Sequence, residues 1–299
     1  MVTNSAKILV IVPTRNENGR IQETLRSLQT QSVVDWIVFI GDNASTDGTQ
    51  QTVSDAAGID TRVRYHFFKD FVDVNTSFMR CADMALAEIA SQYVCFLGGD
   101  DIYLGNDYLG DLLQSFNGAD LAIPHVQEIS SSGALIRESN IYNLSKLPGL
   151  NLARFLLDPE LGNAHYGLFT RSWFEELIAN NDTRWREGDL ASDWWFALGA
   201  FMQRPGRIIR VRTATYRKMK FDQKTPEGSR YYGLYETETK VSGNKWLVLL
   251  RETLRYAAKI YRKSSDRYPG RPLLSLCLYL AWILVPFSQI IRSLKRRIS

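Results

Sequence analysis

Three short polar clusters hold the residues that could do chemistry, and each directly follows an apolar run. Thr14-Arg15-Asn16-Glu17 follows Lys7–Pro13, Asp42-Asn43 follows Trp36–Ile40 and Gly41, and Asp100-Asp101 comes after Tyr93–Leu97. Carboxylates gathered at strand ends, with no glycine-rich loop to cradle phosphate, suit a diphosphate held through a divalent cation, and Mg²⁺ or Mn²⁺ takes such oxygen ligands. The chain contains no G-x-x-x-x-G-K-[ST], no G-x-G-x-x-G after its first apolar run, no H-E-x-x-H and no G-x-S-x-G. Kinase, dehydrogenase, metalloprotease and hydrolase readings thereby lose their main support.

The elements around these clusters follow from hydrophobic periodicity. Lys7–Pro13 is a continuous β-branched run, the pattern of a strand buried on both faces of a parallel sheet. Ile21, Leu25 and Leu28 recur at helical spacing before the second strand, Trp36–Ile40, which completes a β-α-β unit. The pattern repeats: a helix over 49–57, a strand over 62–67, a helix over 76–90 with Met79, Ala82, Leu86 and Ile89 inward, and a strand over 93–97. Such alternation predicts a three-layer α/β fold whose ligands bind beyond the carboxyl ends of the strands. Beyond residue 105 the reading is mixed: a helix near 108–116, a strand over 120–126, a hairpin over 127–138, helices near 150–157, 172–180 and 190–202, and a basic strand over 207–215.

The chain has 299 residues, 45% hydrophobic and 23% charged, which excludes disorder, collagen and a polytopic membrane protein. Its 36 Lys and Arg against 32 Asp and Glu leave a net charge of +4, too weak and too concentrated near the C-terminus to imply a nucleic-acid partner. Cys81, Cys95 and Cys277 show no C-x-x-C spacing and point to a reducing compartment. The N-terminal apolar run is too short for a signal peptide, so the catalytic part is expected in the cytoplasm. Residues 273–291 carry no formal charge and are flanked by Arg271 and by Arg292, Lys295, Arg296 and Arg297. That stretch suits a membrane span or a helix lying in the membrane surface, with a buried core helix as the alternative.

Several segments together resemble family 2 glycosyltransferases of the GT-A fold: Val12-Pro13-Thr14-Arg15-Asn16-Glu17, then Ile40–Thr49, Asn75–Arg80 and Cys95–Asp101. The resemblance is strong over residues 7–105 and looser to about 225. It implies a GT-A three-layer α/β/α sandwich over 1–225; beyond it, the sequence pattern is read as a helical extension over 226–270 and a hydrophobic, basic helical tail over 271–299. It also implies donor-binding roles for Pro13, Thr14, Arg15, Glu17, Asp42, Asn43, Arg80, Asp100 and Arg217. Glu17 and Asp42 match the residues that meet the nucleoside, Asp42 through the base edge, although Asp42 also reads as a turn residue. Asp47 reads as a helix cap. Arg80 matches an arginine near the donor, with a solvated helix residue as its alternative.

Asp100 and Asp101 align with the end of the family's Asp-x-Asp-Asp motif, which holds a divalent cation, Mg²⁺ or Mn²⁺. The usual first Asp is Gly98 here, so Asp100 carries the contact with less help. Asp193, in Ser192-Asp193-Trp194-Trp195, matches the catalytic base of an inverting transfer, with Ser192 in place of the family's Glu. Tyr216-Arg217-Lys218-Met219 resembles a late segment in which Met219 replaces a histidine, and Arg217, Lys218, Lys220 or Lys224 would meet the diphosphate from a mobile loop. His165 lies in an acceptor-side loop or is structural. The chain lacks a Gln-x-x-Arg-Trp motif, which argues against a processive synthase.

The expected protein is an inverting glycosyltransferase that moves a single sugar from a nucleotide-sugar donor to a glycan or polyprenyl-linked acceptor. It would work at the cytoplasmic face of the cell membrane, attached to the membrane surface through the tail, in cell-surface polysaccharide assembly. Two alternatives stand beside it. One is a catalytically silent membrane-associated nucleotide-sugar-binding protein, suggested by Gly98, Ser192 and Met219 at usually polar positions. The other is a sugar-nucleotide pyrophosphorylase, which would need a glycine-rich basic loop where Pro13–Gly19 stands.

Overall fold

The computed structural model describes residues 4–139, 164–180 and 207–220. The elements run β1 (Ser5–Thr14), α1 (Ile21–Gln29), β2 (Trp36–Asn43), α2 (Thr49–Ile59), β3 (Val63–Phe68), α3 (Val74–Glu88) and β4 (Ala90–Phe96). There follow β5 (Ile102–Leu104), α4 (Tyr108–Gln114), β6 (Leu121–Ser130), β7 (Leu135–Glu138), β8 (Leu168–Thr170), α5 (Arg171–Asn180) and β9 (Ile208–Lys220).

Ile8 to Val12 are wholly shielded from solvent because β1 lies inside a parallel sheet. It pairs with β2 from Ile8↔Trp36 to Thr14↔Asp42 and with β4 from Ser5↔Ala90 to Ile11↔Phe96. β3 joins the outer edge of β2, also parallel, so the first half runs β3-β2-β1-β4. Parallel connections cross over right-handed. Hence α1 and α2, which carry the chain outward from β1 to β3, share one face. The return from β3 to β4 puts α3 on the other face, where Phe78 of α3 and Phe174 of α5 both meet Phe96. α1 buries Ile21, Leu25 and Leu28, the stripe its spacing predicts. α3 lies so close to β2 that a Cβ on Gly41 would stand 2.6 Å from Cys81 Sγ.

Past β4 the sheet becomes mixed, in the order β4-β8-β6-β9-β5. β8 runs antiparallel to β4 and β6, β9 runs parallel to β6 and antiparallel to β5, and β7 folds back on β6. The basic strand expected to stop at 215 continues to Lys220, and the expected mobile loop at 216–219 is therefore strand. The physical reason is two-sided pairing: Tyr216 faces Tyr103 on β5 and Val126 on β6. The β6–β9 register jumps from Pro124↔Val211 to His125↔Thr215, at a proline that has no N–H to offer the ladder.

Cys81 and Cys95 are buried free thiols, and burial pushes both up to about 12. They are packing residues. Among the described residues no helix is long and apolar enough to cross a membrane. The helices expected near 150–157 and 190–202, the extension at 226–270, the apolar tail and Cys277 lie outside the described residues.

Candidate active site

The three polar clusters leave the parallel half of the sheet at its carboxyl edge, where the order β2-β1-β4 sets them side by side. Ligands of open α/β sheets bind at this edge. An open cleft lies there. Its walls are Pro13, Thr14, Arg15, Glu17, Asn43, Phe71, Val74, Ser77, Phe78, Gly98, Gly99, Asp100, Asp101, Tyr166, Lys218 and Met219.

Acid groups crowd one end. Glu17 is buried, its backbone N–H donates to Thr49 Oγ1 (2.8 Å), and its carboxylate accepts from Arg20 Nε (2.8 Å). Burial, then the charge of Asp100, pushes the Glu17 carboxyl up to about 8 against the pull of Arg20. Burial also raises Asp100, opposed by Arg20 and Lys218. Asp101 is pushed up to about 7 by burial and then by Asp100. Its two oxygens are already engaged: Tyr216 OH donates to Oδ2 (2.6 Å) and the Met219 backbone N–H donates to Oδ1 (2.9 Å).

The double glycine before these aspartates is set by space. A Cβ on Gly98 would stand 2.4 Å from Asp101 Oδ2, and one on Gly99 would stand 2.5 Å from Thr14 Oγ1. Any side chain at 98 must displace the Asp101 carboxylate, the physical counterpart of the missing first aspartate in the motif. Thr14 Oγ1 is buried at the cleft wall and has no hydrogen-bond partner among the described residues.

Asp42 and Arg80 lie behind the wall rather than in it. Asp42 is fully buried, accepting from Tyr65 OH (2.9 Å) and from the Ser45 backbone N–H (2.8 Å). Oδ1 thus serves the turn after β2, where Ala44 adopts a left-handed φ of 57°, and Oδ2 is taken by Tyr65 on β3. Arg15 Nη1 donates to the carbonyls of Asn43 (2.5 Å) and Ala44 (2.8 Å), and its guanidinium covers the Phe71 ring at 4.2 Å. Asn43 clamps Val72 on both sides, donating to its carbonyl (2.7 Å) and accepting from its N–H (3.1 Å). Arg80, on α3 as expected, stacks over Phe68 at 3.8 Å and donates to Asn43 Oδ1 (2.8 Å) and the Asp70 carbonyl (3.1 Å). It fastens the segment that carries Phe71, is half-buried, and is not among the residues lining the cleft. Asp47, expected as the cap of α2, lies one residue before the N-cap Gly48 and accepts from the Thr49 N–H (3.0 Å) and hydroxyl (2.6 Å).

On β9 the cleft takes Lys218 and Met219, whereas Arg217 is not among the lining residues. Lys218 Nζ sits 5.2 Å from the Tyr166 ring, which stacks on Tyr216 at 4.4 Å. His165 is buried against Tyr166 (3.7 Å) and does not line the cleft. Phe71, Val74, Ser77, Phe78 and Tyr166 went unrecognised in the sequence. Aromatic and small residues at helical spacing look like ordinary core, and only the pinning of 70–72 by Asn43 and Arg80 brings Phe71 to the wall. Asp193 lies outside the described residues.

Comparison with known proteins agrees with this architecture. The chain is 23% identical over 205 residues to a Campylobacter jejuni GalNAc(5)-diNAcBac-PP-undecaprenol beta-1,3-glucosyltransferase, covering 69% of this chain and 65% of that protein. It is 31% identical over 94 residues to a putative teichuronic acid biosynthesis glycosyltransferase, TuaG, of Bacillus subtilis, covering 31% of this chain and 36% of that protein. The chain thus spans less than two thirds of the length of these relatives. Crystal structures of S. aureus TarS 1-349, alone and in complex with UDP-GlcNAc, superpose with TM-scores of 0.55 and 0.56 at 18% identity. They cover 87% of this chain and 72% and 73% of theirs, a likeness that shows the GT-A-like fold. The sequence profile of "Glycosyl transferase family 2" matches residues 9–178, more than half of the chain, and the chain belongs to that family.

Proposed function

We propose that the protein is an inverting glycosyltransferase that binds a nucleotide-sugar donor in this cleft and passes one sugar to a glycan acceptor carried on a polyprenyl lipid. The observation that carries the reading is the convergence of Glu17, Asp100 and Asp101 with Lys218 on one cleft at the carboxyl edge of the sheet. Family membership supports the activity, and a lipid-linked substrate in the name of one relative supports the acceptor class.

Buried carboxylates gathered at one end of the cleft, raised first by burial and, for Glu17 and Asp101, then by the charge of Asp100, fit a divalent cation, Mg²⁺ or Mn²⁺. Mg²⁺ in particular is held by one or two carboxylates plus substrate phosphates rather than by an all-protein cage. Among the described residues no group of three or more His, Cys, Asp or Glu side chains forms such a cage. Asp100, whose carboxylate faces the cleft, would hold the cation with Glu17 beside it. Bound there, the cation supplies Lewis-acid neutralisation of the diphosphate leaving group. Lys218 places a positive charge on the opposite wall, and Arg15 and Asn43 hold the wall that bears Phe71. The Thr14 hydroxyl, without a partner among the described residues, offers one to the donor. Asp193 would take the proton of the acceptor hydroxyl. The uncharged stretch 273–291 and its basic flank would hold the enzyme at the cytoplasmic face of the membrane, near anionic lipid.

Calorimetric titration with UDP, GDP, dTDP and CDP, first with Mn²⁺ and then with EDTA, tests the reading. One nucleotide should bind, EDTA should weaken it, and Asp100→Ala should weaken it at least about tenfold. Binding of none of the four, or binding indifferent to both EDTA and Asp100→Ala, overturns it.

A further inference from the structure

The buried tyrosine Tyr216 joins two walls of the cleft that are far apart in sequence. Its hydroxyl accepts from the Gly98 backbone N–H (3.1 Å) and donates to Asp101 Oδ2 (2.6 Å). The second oxygen of Asp101 accepts from the Met219 N–H (2.9 Å). The turn 98–101 is closed from within by Asp101 N–H to the Gly98 carbonyl (3.2 Å), and Thr24 Oγ1 holds the Gly99 carbonyl (3.0 Å). The turn and the end of β9 are thereby fastened into one unit. On one side of it stands Asp100, and on the other Lys218, over the Tyr166 ring that stacks on Tyr216.

We infer that Tyr216 and Asp101 form a clasp, and that Tyr216 is a positioning residue which sets Asp100 and Lys218 opposite each other for the diphosphate of the donor. The inference rests on the donor-binding reading above and deepens it. A tyrosine at 0% exposure would be an ordinary core residue if its hydroxyl met only backbone. Here the hydroxyl and the ring reach, through one neighbour each, the acid and the base that face the same space. The clasp also accounts for Gly98: with a Cβ 2.4 Å from Asp101 Oδ2, a side chain at that position and a closed clasp are mutually exclusive.

Two variants open the clasp by independent routes. Tyr216→Phe deletes the bridging hydroxyl and is the primary test; Gly98→Ala pushes the Asp101 carboxylate out with every hydrogen-bonding group retained, and its Cβ also stands 3.1 Å from Asp100 Oδ1. Tyr103→Phe is the control for losing a buried hydroxyl in the same aromatic column, since Tyr103 OH meets Cys95 Sγ (3.4 Å) and its ring meets Tyr216 edge-on. The readout is the affinity, with Mn²⁺, for the nucleoside diphosphate that the unmodified protein binds, and for the monophosphate of the same nucleoside. A clasp serving the diphosphate predicts that Tyr216→Phe and Gly98→Ala each weaken the diphosphate about tenfold or more while the monophosphate stays within about twofold, and that Tyr103→Phe changes neither. Should one clasp variant fail to fold, the other carries the same prediction. Equal weakening of both nucleotides, or unchanged diphosphate affinity in a folded clasp variant, overturns the clasp and leaves donor binding standing. Binding of no nucleotide by the unmodified protein overturns the donor reading itself, and the clasp's role with it.

Discussion

At the scale of single residues, the site divides its labour between side chains that face the cleft and side chains that hold the first group still. Asp100 and Lys218 face it, whereas Asp42, Arg80 and Asp101 are engaged with the protein. Glu17, Asp100 and Asp101 are legible in the sequence because a carboxylate just past an apolar run has few reasons to be there other than chemistry or capping. The same logic cannot tell Asp42, sealed by Tyr65, from a ligand-facing acid, since Tyr65 comes from a different strand. Nor can it choose Lys218 over Arg217, because that choice depends on strand phase. The residue with the largest expected kinetic effect is Asp193. If it is the base, Asp193→Asn lowers kcat by about 10²-fold or more and leaves donor affinity within about twofold. Single-turnover transfer beside donor titration checks this: undiminished turnover in the variant would remove Asp193 as the base, and absence of turnover in the unmodified protein would favour a silent binding protein.

The elements are held by close approaches that spacing rules do not anticipate. α3 presses on β2 at Gly41, with Cys81 Sγ where a Cβ would go. Gly41→Ala therefore overpacks a rigid strand and should cost about 1–3 kcal/mol, measured as a shift of the denaturant midpoint at constant slope. At the α2–β3 corner, Asp60 accepts from Arg62 Nε (3.0 Å) and Nη2 (2.9 Å), and Arg62 covers the Trp36 ring at 3.8 Å. The hydrogen bond from Arg62 holds the Asp60 carboxyl below its ordinary value. A carboxyl depressed in the folded state contributes stability above its unfolded pKa, and that contribution is lost as pH falls through the folded one. Asp60→Asn should accordingly cost about 1 kcal/mol at neutral pH, with the gap closing as pH falls from the ordinary carboxylate range through the depressed folded value, as read from urea melts at acid and neutral pH.

Across the whole molecule, the parallel half and the mixed half of one sheet each supply a wall of the cleft, and the aromatic column and the Tyr216 hydroxyl join them. The tail beyond residue 270 has a prediction at this scale. The chain ending at 270 should no longer sediment with vesicles containing anionic lipid, whereas the full chain should, and activity on a lipid-linked acceptor should fall while nucleotide affinity stays within about twofold. Equal sedimentation and undiminished activity of the shorter chain would remove the tail from the membrane reading. Composition and spacing were enough to place β1 to β4 and their helices, because buried parallel strands and amphipathic helices write their burial into local periodicity. They also placed the acids at the carboxyl edge, since the order of elements and the handedness of crossovers leave little freedom there. The second half was decided by tertiary structure. β9 runs five residues past its expected end because strands from elsewhere in the chain pair with both its edges. Phe71, Tyr166, Lys218 and Met219 reach the cleft through pairings and clamps made across long separations in sequence, which no local pattern records.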